Sequence, residues 1–400
     1  TFRSASTFTR SHRSIARMAF DESKLIAELD SLPSDLKERM SKLGFDGAHF
    51  TEQARSLTTG DPKTRRTLRN RVSGEVRVPA ESDLPAAPIG PEAARLSGVG
   101  IAALKRGALA FCVMAGGMAT RMGGVVKALV PVIGQASFLD VRLAENRAFS
   151  TLAGRPIPLW LMTSEATEHG LGDALREAKA PAHVKTFMQN VSVRLNPDGS
   201  LFKDASGHVS TYATGHGDLP DSLRRSGLLE EFAKSGGEVV WITNVDNLGA
   251  TIDPAILGAF LESGKDVMVE VCPKVVGDKG GIPAWAEGKL QVLEEFRLPA
   301  DFDATRVRVF NTNTFLVSSK ALLVARYASS YFEVEKTVDG KPAIQFERLL
   351  QELTANLPAA YVSIPREGTA SRFEPIKDNE ELQRRKPNLA AIAKARGITP

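Results

Sequence analysis

Two cysteines in 400 residues cannot build a disulfide framework. Cys112 and Cys272 each lie inside an apolar, strand-like run, the pattern of buried free thiols in a reducing compartment, so the expected location is cytoplasmic. No run of 18 consecutive apolar residues occurs, which leaves no candidate membrane-spanning helix. Aromatic residues are sparse at 6% and do not interleave with a basic stripe, so the stacking platforms and phosphate track of a nucleic-acid binder are missing. An excess of one charge is missing too. The net charge of +4 traces to the first 17 residues, TFRSASTFTRSHRSIAR, which hold Arg3, Arg10, Arg13 and Arg17 and no acid. Setting those four aside from the 51 basic residues leaves 47, against 47 acidic ones.

What is present is a globular composition, 42% hydrophobic and 24% charged. Residues 1–17 are expected to be a disordered tail, either a transit peptide or sequence translated ahead of a start at Met18; the second is favoured because Met18 directly precedes the first helical pattern. Residues 18–77 read as a helical region. Leu25, Ile26, Leu29 and Leu32 share one face, Leu36, Met40 and Leu43 repeat the pattern, and Asp61 with Pro62 opens a further helix that Gly74 closes. Pro79, Pro85, Pro88 and Pro91 make 78–91 a stiff, exposed linker. From 92 to 390, wholly apolar runs ("ALAFCVMAG", "IPLWLMT", "EVVWITNVD", "DVMVEVCPK", "RVRVFNTNTFLV") alternate with helical stretches near 137–150, 220–235 and 253–263. This alternation predicts an α/β fold, a doubly wound and mostly parallel sheet covered on both faces, with residues 391–400 as a C-terminal tail. Ligands of such sheets collect where strands end, here at Gly116 and Gly117, Asn244 and Asp246, and Asn311 and Asn313.

The stretch GALAFCVMAGGMATRMGGVVK (107–127) stops an apolar strand at two glycines and continues into a basic, glycine-dotted loop. It is not a Walker A loop, since Val125 and Val126 precede Lys127, and it is not a dinucleotide fingerprint, since Ala119 and Met122 stand at that motif's second and third glycines. Small residues let consecutive backbone N–H groups curl around an anion, and Arg121 and Lys127 add permanent charge, so a polyphosphate fits. On local pattern alone, a glycine-rich turn with solvated cations fits as well.

The loop resembles the Gly-Gly-x-Gly-Thr-x-x-Gly…Pro-Lys signature of sugar-nucleotide pyrophosphorylases. Further segments resemble the UTP–glucose-1-phosphate uridylyltransferase family of the eukaryotic type: VKTFMQN (184–190), TGHGDLPDSLRRSGLLEEF (214–232), ITNVDNLGATIDPAIL (242–257), PKVVGDKGG (273–281), VFNTNTFLV (309–317), EKTVDGKPAIQFERLLQE (335–352) and SRFEPIKDNEELQRRKPNL (371–389). The resemblance implies a Rossmann-like nucleotidyltransferase fold. It also implies that UTP and glucose 1-phosphate are converted reversibly to UDP-glucose and pyrophosphate by direct attack on the α-phosphorus, with Mg2+ as cofactor. Galactose 1-phosphate or N-acetylglucosamine 1-phosphate as substrate, or a weakly active nucleotide-sugar-binding relative, are the alternatives. Two departures stand out: Ala119 replaces the family's glycine, where a positive φ would cost about 1 kcal/mol, and Val126 replaces the proline before the loop lysine. The family's C-terminal β-helix, which mediates self-association, is not seen before the sequence stops, so a monomer is expected.

Carried over residue by residue, the resemblance assigns Lys127, Arg121 and Lys336 to the phosphates as catalytic residues. Ala115, Gly116, Gly117, Thr120, Gly123 and Asn244 join the nucleotide site. Gln189 reads the uracil edge, because an amide offers one donor and one acceptor, and backbone near Gly215 orients it. His216, between two glycines, is assigned to the sugar phosphate, although the local sequence suits a turn histidine almost equally. Gly281, Glu294, Asn311 and Asn313 are assigned to glucose; the period-two spacing of NTN puts both asparagines on one side of a strand, with Thr312 facing away. Asp246, at a strand tip, is the carboxylate for Mg2+, with a turn or helix-cap aspartate as its bland alternative.

Overall fold

The apolar run from Leu109 to Met114 is buried at every residue, and its side chains divide by parity. Leu109, Phe111 and Val113 enter one hydrophobic cluster, whereas Ala110, Cys112 and Met114 enter another on the opposite face. A strand buried on both faces requires a helical layer on each side. The computed structural model, which describes residues 20–275, 277–278, 280–324 and 330–400, has that arrangement. The expectation for residues 1–17 lies outside the described residues.

Seven strands form the central sheet: β1 (Leu109–Met114), β2 (Leu159–Thr163), β3 (Val184–Met188), β4 (Val239–Asn244), β5 (Val267–Pro273), β6 (Val309–Ser318) and β7 (Ala359–Ser363). Their spatial order is β7-β5-β6-β4-β1-β2-β3. All neighbours run parallel except β6, which is antiparallel to both β4 and β5. The α/β, mostly parallel architecture is the expected one. The reversal of β6 has a functional consequence, because its amino end lies beside the carboxyl ends of its neighbours. Cys112 and Cys272, in β1 and β5, are free and buried, and burial pushes both thiols up in pKa. Among the described residues no helix is long and apolar enough to cross a membrane.

The helical region comprises α1 (Glu22–Asp30), α2 (Ser34–Lys42), α3 (Gly47–Ser56) and α4 (Pro62–Asn70). Asp61 caps α4 by accepting from the Thr64 N–H, as its Asp-Pro start predicts, but the helix ends at Asn70, before Gly74. Leu25, Met40, Phe50 and Ala54 pack on Val191, Val193, Ile344 and Phe346, so this region shares its core with a ribbon and a hairpin of the larger unit.

Three expectations change. Residues 78–91 do not form a free connector: the Trp285 indole donates to Asp83 (2.9 Å), and Pro85 and Ala87 exchange backbone hydrogen bonds with Ser363 at the sheet edge (2.8 and 2.9 Å). The stretch 220–235 is two helices, Leu219–Arg225 and Leu228–Lys234, separated at Gly227 with φ +78°. Residues 391–400 are no tail, because the helix Asn379–Ala395 buries Ile392 and Ala393, and Ile398 is buried beyond it.

One face of the sheet is covered by two helices, Gly90–Arg106 and Pro254–Ser263, that cross with their backbones in contact. A Cβ added at Gly100 would lie 1.9 Å from the Pro254 carbonyl oxygen, and one at Gly258 would lie 2.1 Å from that of Leu96. Gly100→Ala is therefore expected to destabilise the protein by ~2 kcal/mol through overpacking. A thermal scan checks this, and an unchanged Tm would show that the crossing has slack.

Candidate active site

The chain leaves β1 through Ala115, Gly116 and Gly117, which run over the tips of neighbouring strands. The Ala115 N–H donates to the Met162 carbonyl (2.8 Å), and the Ser164 hydroxyl donates to the Gly116 carbonyl (2.8 Å). A Cβ on Gly116 would lie 3.3 Å from the backbone of Thr163 and Ser164, a tight approach, and in ordinary contact with the Gln189 Nε2 at 3.4 Å. Residues 118–126 then form a miniature hairpin, Met118–Ala119 against Val125–Val126, whose tip carries Thr120, Arg121 and Gly123, all exposed. Gly123 and Gly124 turn the chain at φ +91° and +73°.

Both departures from the family signature are neutral for the backbone. Ala119 sits at φ −83°, so the strain expected of an alanine forced to positive φ does not arise. Val126 sits at φ −61°, the value to which a proline would be locked.

Lys127 ends the loop, its N–H donating to the Gly117 carbonyl (3.2 Å), and its ammonium forms an ion pair with Asp246. Asp246 lies two residues past the tip of β4. Together with Gly116, Gly117, Gln189, His216 and Asn244, these two line one cleft of ≈ 340 Å³. Asp246 is the sole carboxylate among its described lining residues, and no cluster of three metal-binding side chains occurs among the described residues. A lone carboxylate suits a hard divalent cation that takes its remaining ligands from phosphate oxygens and water, so the donor set fits Mg2+ in company with a nucleotide.

His216 is held in one tautomer. Its Nδ1 accepts from the Leu350 N–H (2.9 Å), which leaves the proton on Nε2. Burial pushes its pKa down to about 4, against the opposing pull of the Glu347 charge, so the ring is neutral at physiological pH. Its glycine neighbours serve packing more than ligand approach. A Cβ at Gly215, where φ is +100°, would lie 2.5 Å from the Arg348 carbonyl oxygen, and one at Gly217 would lie 2.4 Å from the Leu349 nitrogen.

The four residues assigned to the sugar are linked to this cleft. Asn313 donates through Nδ2 to the Asn244 Oδ1 (3.3 Å), and the Asn311 Oδ1 accepts from the Asn313 N–H (2.9 Å). The Asn311 N–H donates to the Gly281 carbonyl (2.8 Å), and a Cβ on Gly281 would lie 3.0 Å from the Glu294 carboxylate. Burial pushes the Glu294 carboxyl up in pKa, opposed by hydrogen bonds from Gly281 and the Gln351 amide. The simple alternation expected of NTN fails. β6 bulges there, with Asn311 paired to Val271 and Thr314 already paired to Glu270, and Asn313 adopts φ +61°, a conformation asparagine tolerates better than most residues. Thr312 does turn inward, its hydroxyl donating to the Glu270 carbonyl (2.9 Å).

Lys336 is not among the residues lining the cleft. It is half exposed on a hairpin, 3.3 Å from the Glu347 carboxylate. Arg121 and Thr120 likewise sit on the exposed loop tip rather than on the cleft wall.

A residue that the sequence reading missed supports Asp246 from behind. Arg142, fully buried on the helix Phe138–Ala153, donates to the carbonyls of Asn244 (3.1 Å), Asn247 (2.6 Å) and Ala250 (3.1 Å), which bracket the aspartate, and pairs with Glu145 (2.7 Å). The segment VRLAEN mixes Arg142, Glu145 and Asn146 with apolar residues, and nothing local marks the arginine as buried.

Residues 101–396 match the family described as UTP--glucose-1-phosphate uridylyltransferase. The chain belongs to this family. It is 31% identical over 290 residues to the UTP--glucose-1-phosphate uridylyltransferase of Musa acuminata, a match covering 68% of this chain and 61% of that protein, so the chain spans less than two thirds of its relative's length. In fold, this uridylyltransferase-family chain is similar to a UDP-glucose phosphorylase from Trypanosoma brucei (TM-score 0.69, 23% identity, 86% of this chain and 76% of that one). It is equally similar to a uridine diphosphate N-acetylglucosamine pyrophosphorylase of the same organism (TM-score 0.69, 20% identity, 88% and 84%).

The family chain's His216 provides a pH test. Between about pH 4 and 6.5 the unfolded chain binds a proton there that the folded chain does not, so this group's contribution to stability rises with pH across that window. Nitrogen NMR should show a neutral Nε2–H ring with no inflection from pH 8 to pH 5. A titration centred near 6.5 would remove the neutral-donor assignment.

Proposed function

We propose that the protein is a Mg2+-dependent uridylyltransferase that joins UTP and glucose 1-phosphate into UDP-glucose and pyrophosphate, reversibly. The observation carrying this reading is the convergence of Lys127 and Asp246 with the Gln189 amide on one cleft at the carboxyl edge of the sheet, in a chain of this family. A phosphate oxygen of the sugar phosphate attacks the α-phosphorus of UTP; a new P–O bond forms as the bond to the leaving pyrophosphate breaks in line. No nucleophilic side chain is needed, since two polyanions must only be held together and their charge offset.

Asp246 would hold Mg2+, which would supply charge neutralisation for the phosphates. Lys127 gives up Asp246 for the triphosphate, Arg121 and the loop N–H groups cradle its outer phosphates, and Lys336 approaches them from its hairpin. Gln189, whose amide lies beside Gly116 in the cleft, pairs with the uracil edge. His216 donates from Nε2 to the sugar phosphate without carrying charge. Asn311, Asn313, Glu294 and the Gly281 backbone receive the glucose hydroxyls. Glucose is preferred to N-acetylglucosamine because the sequence relative is named for glucose 1-phosphate, whereas the fold is equally close to enzymes named for either sugar. The reading of a weakened relative loses its motive, since neither Ala119 nor Val126 distorts the loop.

Purified protein supplied with UTP, glucose 1-phosphate and Mg2+ should release pyrophosphate. Lys127→Ala and Asp246→Ala should each lose about 3 kcal/mol of transition-state stabilisation, roughly a hundredfold in kcat/KM. Losses of only a few fold would show that these residues do not carry the chemistry.

A further inference from the structure

The hairpin 332–347, which carries Lys336, pairs with no strand of the central sheet. Its strand 341–347 is tied to the body of the protein, where Ile344 exchanges backbone hydrogen bonds with Leu195 (2.8 and 2.9 Å) and the Tyr212 hydroxyl bridges the Phe346 N–H and carbonyl, but the outer strand, which carries Lys336, needs a fixed base of its own if the lysine is to meet a phosphate. That base comes from the helical region. The Asn70 side chain, at the end of α4, treats the hairpin's outer strand as a neighbouring strand would: its Oδ1 accepts from the Glu333 N–H (3.3 Å) and its Nδ2 donates to the Glu333 carbonyl (3.2 Å). Arg65, on the same helix, lays both arms of its guanidinium on the Glu333 carboxylate (2.9 and 2.8 Å) and also donates to the carbonyls of Leu57 and Thr59. The Glu333 side chain is fully buried and that of Arg65 nearly so. Arg66 adds a pair to Glu335 at the rim.

The helix is in turn fixed to the body of the protein. Arg297 donates to the Asn70 carbonyl (3.4 Å), its own carbonyl accepts from the Val72 N–H (2.9 Å), and its guanidinium pairs with Glu352 (2.5 Å). A continuous polar chain thus runs from the catalytic unit through α4 to the root of the hairpin.

We propose that Arg65 and Asn70 are positioning residues for Lys336, with α4 as the rigid mount that sets where the lysine reaches over the nucleotide phosphates. The proposal rests on the reading of Lys336 as a phosphate contact. Glu333 and Lys336 are three residues apart on one strand, roughly 10 Å. A tilt of about 10° at the root would move the lysine's backbone by roughly 2 Å, and displacements of that size are enough to cost on the order of a hundredfold in rate. A bidentate pair constrains both translation and rotation, and the Asn70 amide fixes the strand's height against the helix.

The test uses the full chain with Asn70→Ala, Arg65→Gln and Lys336→Ala, singly and as the pairs Asn70→Ala/Lys336→Ala and Arg65→Gln/Lys336→Ala. Asn70→Ala and Arg65→Gln should each lower kcat about tenfold while leaving the KM for glucose 1-phosphate within twofold. In the Lys336→Ala background they should add less than a twofold further loss. Hydrogen exchange of amides in 332–347 should speed up more than tenfold, with the central sheet unchanged. Losses that multiply fully with Lys336→Ala, or faster hairpin exchange with an unchanged kcat, would overturn the proposal. A Lys336→Ala enzyme at full rate would overturn the lysine reading itself, and the proposal with it. Should Arg65→Gln fail to fold because Glu333 is left buried without its partner, Asn70→Ala, which keeps the ion pair, decides the matter alone.

Discussion

Lys127 and Asp246 are 119 residues apart in the chain, yet they meet as a pair of opposite charges in a cleft that leaves each mostly hidden from water. A charge in such a place is costly without a partner. Each therefore satisfies the other, and in the proposed reaction a metal ion with a polyphosphate would offer both at once: an anion for the lysine and a cation for the carboxylate. Parallel strands are what bring the two together. β1 and β4 are neighbours in register from Leu109 and Val239 to Met114 and Asn244, so the loops leaving them open on the same edge. Arg142 then fixes the carbonyls on either side of Asp246 from within the core.

The remainder of the site grades away from that pair. On one side Gly116 and Gln189 present a backbone and an amide, suited to a base edge. On the other, the reversed strand β6 delivers Asn311 and Asn313 to the same edge by its amino end, and its bulge turns Asn313 toward Asn244. Between them stands His216, a neutral ring with its proton on Nε2. The Lys127–Asp246 charges stand where phosphates would lie, while amides, a backbone carbonyl and the Glu294 carboxyl stand where a base and a sugar would have to be distinguished by hydrogen bonding.

Much of this was legible in the sequence because it follows from local chemistry. Strands apolar at every position announced a sheet buried on both faces, and the strand ends at Gly116, Gly117, Asn244 and Asp246 announced where the cleft opens. Other features depend on pairing that no single segment contains. The bulge at Asn311–Thr314 arises from the register of β6 against β5, and it broke the expected alternation. The prolines of 78–91 suggested a stiff, exposed linker, but its hydrogen bonds to Ser363 and Trp285 come from residues some 200 or more positions away. Gly215 and Gly217, the glycines flanking His216, admit the backbone of Arg348 and Leu349, which lie more than 130 positions away. Arg142 was hidden because a buried arginine is recognisable only once the carbonyls around it are known.

The account is tested most directly by a crystal structure of the protein with Mg2+ and a non-hydrolysable UTP analogue. It predicts the Lys127–Asp246 ion pair broken, with the lysine on a phosphate oxygen, the aspartate on the metal and the uracil edge on Gln189. A bound nucleotide lying elsewhere, or lying in the cleft with that ion pair intact, would contradict it.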